Sequence, residues 1–74
     1  MNKTELRLML VDDHAVVREG LRAVFFGSSR CRVVAEAGSG DEALRLLDSA
    51  LPDVVLMDLM MPGLSAAETI QRLR

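Results

Sequence analysis

Residues 6–21 read L-R-L-M-L-V-D-D-H-A-V-V-R-E-G-L, and this stretch decides the fold. Leu6 to Val11 is an apolar run broken only by Arg7, the pattern of a short strand buried on both faces. Asp12 and Asp13 end it abruptly. From His14 the period changes. Val17, Leu21, Val24 and Phe25 recur at helical spacing, and Gly27, Ser28 and Ser29 stop the helix. Gly20, inside that helix, costs about 1 kcal/mol against Ala; it is either a close-packing position or a tolerated glycine.

The alternation continues along the chain. Cys31 to Ala37 reads as a second strand centred on Val33 and Val34. Ser39-Gly40-Asp41-Glu42 has the S-x-x-E form of a capping box and opens a helix with Ala43, Leu44 and Leu47 inward. Pro52 and Asp53 punctuate, and Val54 to Met57 is a short, wholly apolar third strand ending at Asp58. Pro62 and Gly63 mark a loop, Ser65-Ala66-Ala67-Glu68 is a second capping box, and Ile70 and Leu73 stripe a last helix. The order β-α-β-α-β-α predicts an α/β fold with a parallel sheet and right-handed crossovers. Ligands of such sheets bind beyond the carboxyl ends of the strands, so the residues just after each strand are the candidates.

Composition narrows the function. The chain has 74 residues, half of them apolar and 27% charged, which describes one small globular domain over 1–74. A net charge of -2 argues against a nucleic-acid surface or a basic membrane anchor. Two Phe with no Trp or Tyr argue against a base-stacking platform. The single Cys31 rules out an internal disulfide framework and fits a reducing, cytoplasmic compartment. The opening residues MNKTELR lack the apolar core of a signal peptide, and no run approaches the ~20 apolar residues of a membrane span.

If the first and third strands are neighbours, Asp12, Asp13 and Asp58 converge on one small pocket. Two carboxylates ~4 Å apart repel by ~1 kcal/mol in water and ~4 kcal/mol at an effective dielectric of 20. A proton on one acid relieves this by raising its pKa. A divalent cation relieves it better, and hard oxygen donors with retained waters suit Mg²⁺ or Mn²⁺. A carboxylate beside such a cation can attack a phosphoryl group and form an aspartyl phosphate. Each acid also has a plain structural use: Asp13 as a helix N-cap, Asp12 as a solvated turn residue, Asp58 as a loop acid. His14 reads mainly as a solvent-facing first-turn residue, with proton shuttling or metal binding as the alternative. Glu19, Glu36 and Asp48 read as solvated face or rim residues.

Three phrases carry a resemblance: LVDDHAVVREGL (10–21), EAGSGDEAL (36–44) and PDVVLMDLMMPG (52–63). They resemble the receiver domain of two-component response regulators, most closely the LuxR/NarL type, whose receivers precede a DNA-binding helix-turn-helix domain. The resemblance covers nearly the whole chain. It implies a flavodoxin-like, doubly wound sheet whose full order is 2-1-3-4-5; the three strands here make its 2-1-3 part. It implies that Asp58 is the phosphoacceptor and that Asp13 and Asp58 bind Mg²⁺ directly. Asp12 would act through a metal-bound water, and the backbone carbonyl of Met60 would add a ligand. It implies a sensor histidine kinase or a small phosphodonor as the source of the phosphoryl group, and no enzyme activity beyond self-phosphorylation and autodephosphorylation. Transcription would be regulated through an output domain, with no direct DNA contact by this segment.

The chain departs from the family where the later strands belong. The 74 residues match the N-terminal part of a receiver, its first three β-α units. The family's switch Ser or Thr and its Lys match no position, since Lys3, Thr4 and Thr69 are all misplaced. Ala66 stands where the family often has Gly. In 2-1-3 order the third strand is an apolar edge, which predicts self-association through it or by exchange of elements between chains. Three rival readings stand beside this one. Gly38-x-Gly40-x-x-Ala43 matches a dinucleotide-binding fingerprint with Asp58 near the ribose-acid distance, but it sets Asp41 and Glu42 against a pyrophosphate. A phosphatase of the haloacid-dehalogenase kind needs an acid at Met60. A non-phosphorylated interaction module needs none of the acids.

Overall fold

The computed structural model describes residues 5–58 together with Glu68, Gln71 and Arg72. It contains strand β1 (Leu6–Val11), helix α1 (Ala15–Phe26), strand β2 (Cys31–Ala37), helix α2 (Gly40–Ala50) and strand β3 (Val54–Met57). All three strands fall where the apolar runs predict them. Of the expected last helix, Glu68, Gln71 and Arg72 are helical. The Pro62-Gly63 loop, residues 65–67 of its capping box, Ile70 and Leu73 lie outside the described residues.

The strands form one parallel sheet in the order β2-β1-β3. β1 is central, and its composition explains why: Leu8, Met9, Leu10 and Val11 are all buried, as a strand covered on both faces requires. The chain steps from β1 outward to β2 and then back across β1 to β3. With right-handed crossovers, those opposite steps put α1 and α2 on opposite faces of the sheet. On the α2 face, Met9, Val11, Ala37, Ala43 and Ala50 form the core, with Leu46, Val55 and Met57 packed against them. Val34 is the extra residue of a bulge in β2, because Leu8 pairs with Val33 while Met9 pairs with Ala35.

The second helix begins as its sequence predicts. Ser39 Oγ accepts the Glu42 N–H at 3.1 Å. The reciprocal bond is displaced by one residue: Glu42 Oε1 accepts from Gly38 N, at 2.6 Å, instead of from Ser39. Its C-terminus ends on Leu51 in the left-handed region, at φ 47° and ψ 58°, a conformation that favours glycine. Arg7 holds this end. Its guanidinium donates to the carbonyls of Ala50 (2.6 Å) and Leu51 (3.2 Å), where the helix dipole favours a cation. The one charge in the first strand is therefore a cap on a distant helix.

The first helix departs from expectation. Leu21 and Phe25 are half-buried, but Val17 and Val24 of the same apolar stripe are exposed, as are Val16 and Phe26. No residue of α1 is fully buried, because the helix packs mainly on β2, which covers only part of its stripe. Gly20 has no heavy atom within 4 Å of where a Cβ would stand, so it is a tolerated glycine and not a close-packing one.

Replacing Arg7 with Met keeps the stem and removes the cap. We expect Arg7→Met to lower stability by about 1–2 kcal/mol, read as a shift in the denaturant midpoint at constant slope. An unchanged midpoint would mean that water serves the Ala50 and Leu51 carbonyls equally well.

Candidate functional site

Register builds the site. β1 and β3 run parallel with Val11 opposite Met57, so the next residues, Asp12 and Asp58, leave the sheet at the same end. The ladder runs one residue beyond the strands: Asp58 N–H donates to Val11 O at 2.9 Å, and Asp12 N–H donates to Ala37 O at 3.0 Å. This is also where the strand order reverses, the place at which open α/β sheets leave a crevice. Val11, Asp12, Leu21, Leu56, Met57 and Asp58 line a crevice of about 260 Å³ there.

The turn from β1 into α1 is held by Asp12 itself. Its Oδ1 accepts the backbone N–H of His14 at 2.8 Å, an Asx turn that ends the strand. His14, and not Asp13, occupies the N-cap position of α1, and its side chain makes no capping hydrogen bond. Asp12 is buried and is no solvated turn acid. The plain structural uses open to Asp12 and Asp13 in the sequence are thus not the ones the fold employs.

His14 has a larger part than a solvent-facing residue. Its Nδ1 lies 3.0 Å from Asp12 Oδ1, 2.9 Å from Asp13 Oδ1 and 3.9 Å from Asp58 Oδ2, although 65% of the side chain is exposed. Arg18 supplies a second positive charge by donating from Nη1 to the Asp12 carbonyl. Glu36, expected on a solvated rim, steadies that arginine: its carboxylate meets Arg18 Nε at 3.3 Å and Arg22 Nε at 3.0 Å. The only sequence signal for this arrangement is the i, i+4 spacing of Arg18 and Arg22. Their partner is a strand away and cannot be read from spacing.

The charges shift one another. The His14 backbone N–H holds the Asp12 carboxyl below its ordinary range, and the imidazole and Arg18 add to this against the opposing effect of burial. The bond to Asp12 and the charge of Asp13 raise the His14 imidazole above its ordinary 6.5, with smaller help from Asp58. The raised imidazole stabilises the metal-free fold fully below 6.5 and loses that contribution as pH rises through its folded value. The depressed carboxyl contributes fully above 3.8 and loses its share as pH falls through its folded value. Both contributions are present together between 3.8 and 6.5.

The donor set fits a small divalent cation. Asp12, Asp13, Asp58 and His14 each offer one ligand atom, all within 4.8 Å of one another. Carboxylate oxygens of this number suit Mg²⁺ or Mn²⁺. Met60, whose backbone carbonyl the sequence reading adds to this set, lies outside the described residues. The dinucleotide alternative fares worse. The Gly38 N–H is taken by Glu42 and the Glu42 N–H by Ser39, so two of the donors a pyrophosphate would use already serve the chain itself.

In metal-free solution, NMR should find His14 titrating above 6.5, and Asp12→Asn should bring it down toward that value. A His14 that titrates at or below 6.5 would show that the imidazole does not sit among the carboxylates.

Comparison with known proteins agrees with this geometry. Residues 8–74 match the response regulator receiver domain family. The chain is 41% identical over 68 residues to the transcriptional regulatory protein YdfI of Bacillus subtilis, covering 92% of this chain and 32% of that protein. It is 36% identical over 73 residues to the nitrate/nitrite response regulator NarL of Escherichia coli K12, covering 99% of this chain and 34% of NarL. The chain thus spans about a third of the length of these relatives. Among solved structures, the signal receiver domain of NarL from Mycobacterium tuberculosis superposes with a TM-score of 0.87 at 38% identity, over 97% of this chain and 58% of that one. A LuxR-family response regulator from Aurantimonas superposes at 0.86 with 44% identity, over 95% of this chain and 50% of its own. By sequence match and by fold, this chain belongs to the response regulator receiver domain family.

Proposed function

We infer that Asp58 accepts a phosphoryl group with the help of a divalent cation held in the acid pocket. The observation that carries this reading is the meeting of three strand-end carboxylates at the β1/β3 switch point, with Asp58 on the open crevice. Asp13 and Asp58 would hold Mg²⁺, or Mn²⁺, directly, with Asp12 acting through a bound water and the Met60 backbone carbonyl completing the set. When bound, the cation neutralises the oxygens of the transferring phosphoryl group. A carboxylate oxygen of Asp58 forms the new bond to phosphorus while the bond to the donor's leaving group breaks in line. Asp12 and Asp13 keep the crevice anionic and ready for the cation. Arg18, held by Glu36, fixes the backbone of the turn that carries them.

The remaining functional reading follows the family. A receiver is regulatory and not a classical enzyme, and the 74 residues stand as the N-terminal part of one. The phosphoryl donor is a sensor histidine kinase, and the output is transcription through a DNA-binding domain that these residues do not include. The location that follows from family membership is cytoplasmic.

Intact mass after acetyl phosphate treatment tests the central claim. With Mg²⁺, the chain should gain one phosphoryl group; without Mg²⁺, or as Asp58→Asn, it should gain none. The absence of an adduct in every condition would reduce the chain to an interaction module.

Self-association is the second expectation. Among the described residues β3 pairs only with β1, and Val54 and Leu56 on it are exposed. An apolar strand edge of this kind recruits another chain. Light scattering at micromolar concentration should report species larger than a monomer, and Leu56→Lys should shift the population toward monomer. A monodisperse monomer in the unaltered chain would contradict the expectation.

A further inference from the structure

Resting on the reading of the acid pocket as a cation site, we propose that Nδ1 of His14 is itself a ligand, and that this nitrogen gives the site a preference for borderline transition cations over Mg²⁺. The argument begins with distances. Ligands held at 2.0–2.1 Å by a six-coordinate cation stand about 3 Å apart when adjacent and about 4 Å apart when opposite. Nδ1 lies 2.9 Å from Asp13 Oδ1, 3.0 Å from Asp12 Oδ1 and 3.9 Å from Asp58 Oδ2. The Asp13 separation is that of adjacent ligands and the Asp58 separation is close to that of an opposite pair, while Asp12, which acts through water, stands beside the ring. All four candidate ligand atoms lie within 4.8 Å of one another, so the widest pair closes by roughly 0.7 Å at most to reach the opposite-ligand separation.

The chemistry of the donor then sets the consequence. Mg²⁺ takes oxygen ligands and gives up water reluctantly, so an imidazole adds little to its binding. Co²⁺ and later ions bind imidazole nitrogen well, so the same ring adds much to theirs. On binding, the cation takes the place of any proton on Nδ1, which leaves to solvent. With Asp13, Asp58 and the imidazole in place, coordination positions remain for water and for a phosphoryl oxygen. The ring is well placed for this because its own backbone N–H is tied to Asp12, which limits how far the residue can swing from the acids.

His14 is the only histidine in the chain, which makes the test direct. The 74-residue chain, without an affinity tag, is loaded with Mn²⁺ and examined by electron spin-echo envelope modulation. We expect imidazole ¹⁴N modulation that disappears in His14→Ala while Mn²⁺ remains bound. In parallel, His14→Ala should weaken Co²⁺ binding about tenfold and leave Mg²⁺ binding within about twofold. Mn²⁺ bound in an Asp13-dependent way without ¹⁴N modulation would overturn the ligation and leave the phosphoacceptor reading standing. Equal losses of Co²⁺ and Mg²⁺ affinity would overturn the selectivity. Mn²⁺ that fails to bind, or binds equally well to Asp13→Asn and Asp58→Asn, would overturn the acid pocket and this inference together.

Discussion

The parallel pairing of β3 beside β1 is the constraint on which the site depends. The two strands are separated by two helices and an intervening strand, yet Val11 and Met57 stand opposite each other. A slip of β3 by one residue would carry Val55 and Met57 off the face they share with Met9, Val11 and α2. The hydrophobic pattern therefore enforces the register, and the register sets the position of the acids. Asp12 and Asp58 meet because the apolar residues before them have no other good way to pack.

Gathering carboxylates at one rim carries an electrostatic cost that the surroundings offset. Helix α1 begins at this rim, and its N-cap residue is a histidine whose imidazole points among the acids. Arg18, one turn on, reaches back to the carbonyl of Asp12, and Glu36 at the end of β2 holds both Arg18 and Arg22. Negative and positive groups alternate outward from the crevice, so the pocket keeps its charge without destabilising the strand ends. Val11, Asp12, Leu21, Leu56, Met57 and Asp58 line the crevice at this rim.

The same small core explains what is left uncovered. β1 is buried on both faces, whereas α1 buries no residue completely and β3 exposes alternate side chains. β2 and β3 flank one central strand, and that strand takes most of the burial. Half of the α1 stripe therefore faces outward, although its spacing is that of a core helix. Amphipathic period reports which face a helix would bury, and the neighbours decide whether it does.

Apolar runs, capping boxes and turn residues determined by themselves where the strands lie, where α2 begins and which acids follow the strands. Those are local properties: each depends on residues within a few positions of one another. The phrases around Asp12, Asp13 and Asp58 also sufficed to indicate the receiver family. Tertiary structure alone decided that Arg7 caps α2, that Glu36 grips two arginines, and that His14 lies within reach of three carboxylates. The Arg7, Glu36 and Asp58 contacts join elements whose separation in sequence carries no periodic signal. Polar side chains at a strand end or a helix start look solvated until the packing of the apolar ones brings their partners within about 3 Å.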